Sequence, residues 1–152
     1  MKILYLEFGG GLHAEGTATL RAASSSSCPL EALLRQPACA DMAMMISSSW
    51  RESFALARLR WHLSAGLRER VVDVTPVLVD YDGGHFRYEK IKSWLDVHPG
   101  VERGVALDDD VEGFPAHWSG HVVFTGTHKG LGEHDLVTLQ RLLDLQVNFQ
   151  AR

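Results

Sequence analysis

Short apolar runs alternate along the chain with longer segments in which apolar residues recur at helical spacing. Such runs are typical of buried strands, and the clearest cover residues 3–8, 42–46, 71–74, 104–107 and 121–124. A further valine-containing run at 77–79 is also predicted to be extended. Strands that alternate with helices indicate an α/β domain, with a parallel sheet covered by helices on both faces.

The predicted helices lie between these runs. Ser49 and Glu52 have the S-x-x-E spacing of a capping box, which predicts the start of a helix. Gly66 stands where the C-terminal cap of that helix is expected. Residues 12–28 are small and polar and are predicted to form a loop. Pro29, a residue favoured at the first position of a helix, predicts a helix over 29–35. Apolar residues at helical spacing predict further helices over 87–98 and from residue 133 onward.

The composition indicates a single globular domain over residues 1–152. The chain is 45% hydrophobic, and a chain of this length buries about two-thirds of its unfolded surface, so its core needs no disulfide or metal. Apolar runs fall short of the ~20 residues of a membrane span. A net charge of −4 argues against a dedicated nucleic-acid binder. Two cysteines, Cys28 and Cys39, favour reduced thiols and a cytoplasmic location.

Polar residues follow three of the predicted strands. The first strand ends at Glu7 and Gly9, the second at Ser47, and a later one at Asp108 and Asp109. Ligands of such sheets bind outside the carboxyl ends of the strands, so these residues are expected to converge. Carboxylate oxygens suit Mg²⁺ together with a substrate phosphate, and a serine ahead of a helix suits the phosphate itself.

This arrangement resembles the haloacid dehalogenase (HAD) superfamily, and more narrowly the small HAD domains related to Swiss Army Knife RNA repair proteins. The most specific segment is I-S-S-S-W-R at 46–51. Further matching pieces, in order along nearly the whole chain, are 74–76, Arg87, 89–91, 94–95, 105–110, Thr125 and 130–131. The resemblance implies a three-layer, Rossmannoid α/β fold with a central parallel sheet and at most a minimal cap in residues 12–41.

The first motif departs from the family pattern Asp-x-Asp, in which the first Asp is the nucleophile and the second is the general acid/base. Here these positions hold Glu7 and Gly9. Glutamate adds a methylene and moves the carboxylate by ~1.5 Å. A misplacement of about 1 Å costs ~100-fold in rate, and loss of a general acid costs about 10²–10⁴-fold. We therefore expect covalent phosphoryl transfer to be impaired.

The resemblance also implies roles for other residues. Ser47 would contact the phosphate, with Ser48 beside it, and His13 near the pocket entrance is a further ligand-binding candidate. The third-motif cation, which neutralises the phosphate and the nucleophile, maps to Arg87, with Lys90 as the alternative.

The metal site is expected to be better preserved than the nucleophile. In the family the second first-motif residue contributes its backbone carbonyl to Mg²⁺, which Gly9 can still supply. Glu7, Asp108 and Asp109 retain carboxylate oxygens for the same ion.

Two functional hypotheses follow. In the first, the domain binds Mg²⁺, a phosphorylated ligand or a partner, with weak or no turnover. In the second, it is an active Mg²⁺-dependent phosphatase in which Glu7 positions metal and water. Its substrate would be a phosphorylated small molecule or a nucleic-acid end.

Several patterns have alternative interpretations. Ser47 is also consistent with a purely structural role, and 108–110 with a solvated turn. Residues 9–14 fit G-x-G-x-x-A, but the helix and the downstream acid of a dinucleotide site are not predicted. Residues 80–83 read D-x-D-G, but residues 80–84 are interpreted as a turn, because the later motifs do not follow them in full. The eight histidines show no spacing that fixes a zinc site.

Overall fold

Five parallel strands form the central sheet. In this computed structural model, residues 1–9, 29–79, 81–101 and 103–150 are described, with only the backbone for residues 103 and 144–150. The strands are β1 (Lys2–Leu6), β2 (Met42–Ile46), β3 (Val71–Val74), β4 (Arg103–Asp108) and β5 (Val122–Phe124). Their order is β3-β2-β1-β4-β5. The chain runs outward from β1 first on one side and then on the other, so the switch in strand order lies at β1.

Helices connect the strands. They are α1 (29–34), α2 (Leu56–Arg60), α3 (Ala65–Arg68), α4 (Phe86–Asp96) and α5 (Glu133–Gln150). Short 3-10 helices cover Pro37–Cys39, Ser49–Glu52, Val111–Gly113 and Ala116–His121. Within the described ranges, no helix is both long and apolar enough to cross a membrane.

The sheet is buried on both faces. Successive residues of β1 point to opposite faces, so Leu4 and Leu6 enter one core cluster while Ile3 and Tyr5 enter the other. The first cluster includes side chains of α1, α2, α3 and α5, and the second includes side chains of α4. This confirms the predicted three-layer α/β fold with a central parallel sheet.

The predicted strands agree with the structure except at 77–79. Residues 75–79 form no strand, and the side chains of Val77 and Val79 are 42% and 80% exposed. The prediction of an extended element there is wrong, because a short valine run has the same local pattern whether or not it joins a sheet.

The helix predicted to begin at Ser49 is broken into three pieces, namely Ser49–Glu52, α2 and α3. Its predicted caps are also wrong. Ser48 precedes the first turn, and its Oγ accepts a hydrogen bond from the amide of Trp50 at 3.2 Å. Gly66 lies inside α3. The local reason is that a tighter 3-10 turn starts the segment and moves the cap one residue toward β2.

Part of the predicted cap region belongs to the core. Leu30, Leu33 and Leu34 of α1 are buried in the first core cluster, and so is Cys39. The sequence analysis also considered three residues that lie outside the described residues, namely His13, Cys28 and Asp80.

Candidate functional site

A row of buried polar residues crosses the carboxyl-terminal edge of the sheet. The strand registers place four of these residues side by side. Thr75, Ser47 and Glu7 directly follow β3, β2 and β1, and Asp108 is the last residue of β4. Backbone pairing continues here, since the amide of Ser47 donates to β1 and that of Glu7 donates to β4. None of the four residues is more than 2% exposed. The structure thus brings together the predicted residues Glu7, Ser47 and Asp108.

Both carboxylate oxygens of Glu7 are engaged. Oε1 accepts hydrogen bonds from Ser48 Oγ at 2.6 Å and from the Gly9 amide at 3.1 Å. Oε2 lies 2.6 Å from Nη1 of Arg87 in an ion pair that lacks hydrogen-bond geometry. Burial raises the pKa of Glu7, while the charge of Arg87 and the two hydrogen bonds oppose that rise. The side chain at the nucleophile position is therefore clamped, by which we mean that polar groups of the protein contact both of its carboxylate oxygens.

Arg87 lies among three acidic side chains. Besides its pair with Glu7, its Nε is 3.8 Å from Asp108 Oδ2 and 3.7 Å from Asp110 Oδ2. Its Nη1 also donates to the carbonyl of Ser47 at 3.5 Å. Burial alone lowers the pKa of Arg87, but the surrounding carboxylates raise it overall. The guanidinium therefore stays charged and links β1 to the end of β4.

The turn ahead of α4 presents Arg87 to the sheet. His85, the residue before the helix, adopts a left-handed backbone conformation with φ 60° and ψ 48°. Such a conformation is uncommon for a residue other than glycine, although histidine is among the residues that tolerate it. The helix α4 begins at the next residue, so Arg87 lies in its first turn, within ion-pair distance of Glu7 in the polar row.

Asp108 is buried more deeply than a solvated turn would be. Its Oδ1 accepts a hydrogen bond from the amide of Asp110 at 3.0 Å. Burial raises the pKa of Asp108 to about 7, and the charges of Glu7 and Asp109 add to the rise while Arg87 opposes it. Asp109 is partly exposed. Asp110 caps the following 3-10 helix by accepting from the amide of Gly113.

Lys90, the alternative third-motif cation, has a different environment from Arg87. Its side chain is 0% exposed, and Nζ finds no hydrogen-bond partner among the described residues. The ammonium lies 5.3 Å from the centre of the Phe86 ring. Burial, followed by the charge of Arg87, lowers the pKa of Lys90, and Glu7 partly opposes this. Arg87 is thus paired with the acids of the site, and Lys90 is a buried cation without a hydrogen bond.

Gly9 and Trp50 form the wall beside Glu7. A Cβ added at residue 9 would lie 3.3 Å from Nε1 of the Trp50 indole, a tight contact. The indole is held edge-on against Phe8 at 5.5 Å and against His62 at 5.0 Å. The indole therefore borders the backbone position at which the family carries its general acid/base.

The hydroxyl groups of the row differ in how they are used. Thr75 Oγ1 donates to Ser47 Oγ at 3.5 Å. The hydroxyl of Ser48 is committed within the protein, because it donates to Glu7 and accepts from the amide of Trp50. The sequence reasoning did not include Thr75 in the site. Its position directly after β3 is the signal that could have identified it, by the same strand-end rule.

The donor types at this edge fit Mg²⁺. Glu7 and Asp108 offer buried carboxylates, Asp109 offers a third one nearby, and Gly9 offers a backbone carbonyl. Arg87 shares the carboxylates of Glu7 and Asp108, however, and the described ranges hold no group of three His, Cys, Asp or Glu side chains close enough to hold a metal ion. A divalent cation would therefore share its donors with this guanidinium.

Comparison with known families found a matching family model. The family model described as "HAD domain in Swiss Army Knife RNA repair proteins" matches residues 3–136, which include the whole polar row. Comparison with curated proteins and with solved structures gave no match. HAD domains typically use Mg²⁺, and the family suggests a phosphohydrolase-like function with phosphorylated substrates. Since the match spans most of the sequence, from β1 into α5, the chain belongs to this family of HAD domains.

Proposed function

We propose that this domain binds the phosphate of a phosphorylated ligand at the polar row and hydrolyses it slowly or not at all. The observation that carries the proposal is the clamping of Glu7, whose two oxygens are held by Ser48, Gly9 and Arg87. A carboxylate nucleophile needs one oxygen free to attack phosphorus. Here attack would first require the Arg87 pair to separate inside a buried site, which costs free energy.

The general acid/base step is impaired for a separate reason. Residue 9 has no side chain, and the Trp50 indole lies against the position where one would begin. Without a positioned acid, a leaving alkoxide has to take its proton from water, with a typical loss of about 10²–10⁴-fold in rate. The two defects concern different steps, and each is sufficient to make turnover slow.

Phosphate binding is supported by the hydroxyl and cationic groups of the edge. Ser47 has a buried hydroxyl whose oxygen accepts from Thr75, which leaves its own proton available to an acceptor. Lys90 contributes a buried positive charge beside Arg87. Mg²⁺, held by Glu7, Asp108 and the carbonyl of Gly9, would offset the acids and bind phosphoryl oxygens.

Activity with Mg²⁺ and an aryl phosphate tests the catalytic half. We expect little or no wild-type turnover, and measurable turnover in the Glu7→Asp/Gly9→Asp double variant. Glu7→Asp alone is the matched control, since it shortens the side chain without supplying an acid/base. The new Cβ at residue 9 requires the Trp50 indole to move by a few tenths of an ångström, so folding of each variant should be checked by thermal denaturation.

Binding of inorganic phosphate in the presence of Mg²⁺, measured by calorimetry, tests the other half. Ser47→Ala should weaken it, and no binding by the folded wild type would overturn the proposal. Clear wild-type hydrolysis that Glu7→Gln abolishes would instead favour an active phosphatase in which Glu7 positions metal and water. Hydrolysis lost in Asp80→Asn but kept in Glu7→Gln would assign the chemistry to residues 80–83.

A further inference from the structure

Gly113 leaves room for the stem of the Arg87 side chain. A Cβ added at residue 113 would lie 2.5 Å from Cγ and 3.0 Å from Cβ of Arg87, and 2.7 Å from Oδ2 of Asp110. The Cβ and Cγ atoms of an arginine lie close to its backbone, so they move only if the helix shifts or the side chain changes its rotamer. Gly113 is also buried. The position of Arg87 is therefore tied to a glycine on a different segment.

The turn that carries Gly113 is fixed at both ends. Asp110 Oδ1 accepts a hydrogen bond from the Gly113 amide at 3.1 Å, and the Asp110 amide donates to the last residue of β4 at 3.0 Å. On the other side, the carbonyl of Glu112 lies 3.2 Å from Nδ1 of His85, the residue before α4. We refer to residues 110–113 as the arginine seat. The seat joins the end of β4 to the start of α4.

The guanidinium of Arg87 lies among the oxygens that a divalent cation would use. Its Nη1 is 2.6 Å from Oε2 of Glu7, and its Nε is 3.8 Å from Oδ2 of Asp108. The other Glu7 oxygen, Oε1, already accepts two hydrogen bonds. Mg²⁺ binds carboxylate oxygens at about 2.0–2.1 Å, and a second positive charge this close to the guanidinium is repelled by it. The guanidinium must therefore move before Glu7 can hold the ion.

We infer that Arg87 is a resident counter-ion that competes with a divalent cation for Glu7 and Asp108. The seat, through Gly113, holds the guanidinium in that position. The inference rests on the proposed function only for the assignment of Glu7, Asp108 and the Gly9 carbonyl as metal donors. Only molecules whose guanidinium has left the acids can bind the cation, so the apparent affinity falls in proportion to the share of such molecules. Arg87 thus regulates the occupancy of the metal site.

Calorimetric titration of Mg²⁺ at pH 8 tests the competition. Arg87→Met removes the charge and keeps much of the side-chain length. It should bind Mg²⁺ at least about tenfold more tightly than the wild type, because the acids are then free in every molecule. Arg141→Met, which changes an exposed arginine on α5, is the matched control for the lost charge and should bind like the wild type.

Gly113→Ala tests the position of the arginine while every charge is retained. The added methyl displaces the stem of Arg87, so Mg²⁺ affinity should rise in the same direction as in Arg87→Met, by about 2- to 5-fold. Gly120→Ala is the matched control and should leave the affinity unchanged, because a Cβ at residue 120 meets no described atom within 4 Å. An affinity of Gly113→Ala equal to or below that of the wild type would overturn the role of the seat.

Thermal denaturation gives a second readout, which also serves if Arg87→Met is poorly folded without the ion. A ligand that binds the folded chain stabilises it, and the effect grows with affinity. Mg²⁺ at about 10 mM should therefore raise the melting temperature of Arg87→Met by several degrees more than that of the wild type, because the ion replaces the lost counter-ion. If the Arg87–Glu7 pair is merely structural, Mg²⁺ should shift both melting temperatures equally, and that result would overturn the inference.

The inference and the proposed function fail differently. If the wild type binds Mg²⁺ as tightly as Arg87→Met or more tightly, the inference fails and the metal site of the proposed function remains. If only Arg87→Met binds Mg²⁺, the inference holds and the proposed metal site does not operate in the wild type. If neither binds Mg²⁺, the freed acids form no metal site and both fail.

Discussion

Arg87 and Glu7 form a buried ion pair, with Nη1 of the arginine 2.6 Å from Oε2 of the glutamate. Their side chains are 15% and 1% exposed. The attraction within such a pair roughly offsets the cost of removing both charges from water, but removal of one partner leaves a buried charge without compensation. The stability of the site therefore depends on these two residues together.

We expect Arg87→Ala to lower the free energy of unfolding by about 3–5 kcal/mol, because it leaves Glu7 buried and unpaired. Adding Glu7→Gln in the same chain should recover a large part of that loss, since the amide carries no charge. Urea denaturation of the wild type, both single variants and the double variant gives the coupling energy. Arg141→Ala should change stability by no more than about 0.5 kcal/mol. Additive effects of the two single changes would show that the ion pair is energetically unimportant.

Much of the fold could be predicted because its strands are local, strongly apolar runs. β2 and β3 agree with their predicted ranges, and β1, β4 and β5 agree within two residues at either end. The segment 77–79 could not be distinguished in this way, because its exposure depends on where the chain goes after β3. The break between α2 and α3 was also missed, since a continuous apolar face fits one long helix or several short ones.

The site was predicted less completely than the fold. The strand-end rule identified Glu7, Ser47 and Asp108, because it requires only the ends of strands. It could not reveal that Arg87 pairs with Glu7, since that depends on the approach of α4 to the sheet; only the family resemblance, which maps the cation beside the nucleophile to Arg87, implied that pair. Nor could it show that the Ser48 hydroxyl donates a hydrogen bond to Glu7, because that depends on side-chain geometry.

The two neighbouring serines Ser48 and Ser49 should behave differently. Ser48 Oγ donates to Glu7 at 2.6 Å and caps the following 3-10 turn, whereas Ser49 is exposed. Ser48→Ala should therefore lower the free energy of unfolding by about 1–3 kcal/mol, because it leaves a buried carboxylate oxygen with one donor fewer. Ser49→Ala is the control and should be near neutral in the same urea titration. If the two variants lost equal free energy of unfolding, Ser49 would have the capping role that the S-x-x-E spacing predicts.

Asp108 should make the chain less stable as pH rises through the range in which it loses its proton. The pKa of Asp108 is about 7 in the folded chain and near its ordinary 3.8 when unfolded. Between these values the folded state holds a proton that the unfolded state has released, so higher pH favours unfolding. The contribution of Asp108 is on the order of 4 kcal/mol at most.

Urea denaturation at pH 5, 6, 7 and 8 measures this dependence. Asp108→Asn should remove this part of the slope; Glu7, whose pKa burial also raises, acts in the same sense, whereas His62 and Lys90, whose pKa values burial lowers, act in the opposite sense. Glu69→Gln, which changes an exposed acid, should keep the wild-type slope. Equal slopes for the wild type and Asp108→Asn would contradict this account of Asp108.

Binding of Mg²⁺ should have the opposite pH dependence to folding stability. Asp108 must release its proton before it can hold a cation, so affinity should decline below pH 7, by up to about tenfold per unit. Calorimetry at pH 8 should detect binding at millimolar Mg²⁺, weaker binding at pH 6, and none in Asp108→Asn. Glu69→Gln again serves as the control. No heat of binding for the wild type at pH 8 would exclude this edge as a millimolar metal site.

Replacing Lys90 separates its structural and ligand-binding roles. The amine is fully buried with no hydrogen-bond partner in the described part of the chain, and burial lowers its pKa, so the protein disfavours its charge. Lys90→Met keeps the shape and removes the charge, and should raise the free energy of unfolding by about 1 kcal/mol or more. If Lys90 binds the phosphate, the same variant should lose affinity for inorganic phosphate in calorimetry while becoming more stable. Lys92→Met, an exposed neighbour paired with Asp96, should alter neither property appreciably. A destabilised Lys90→Met variant would contradict the statement that the protein disfavours the charge of Lys90. Unchanged phosphate affinity of this variant would leave Arg87 as the cation that acts on the ligand.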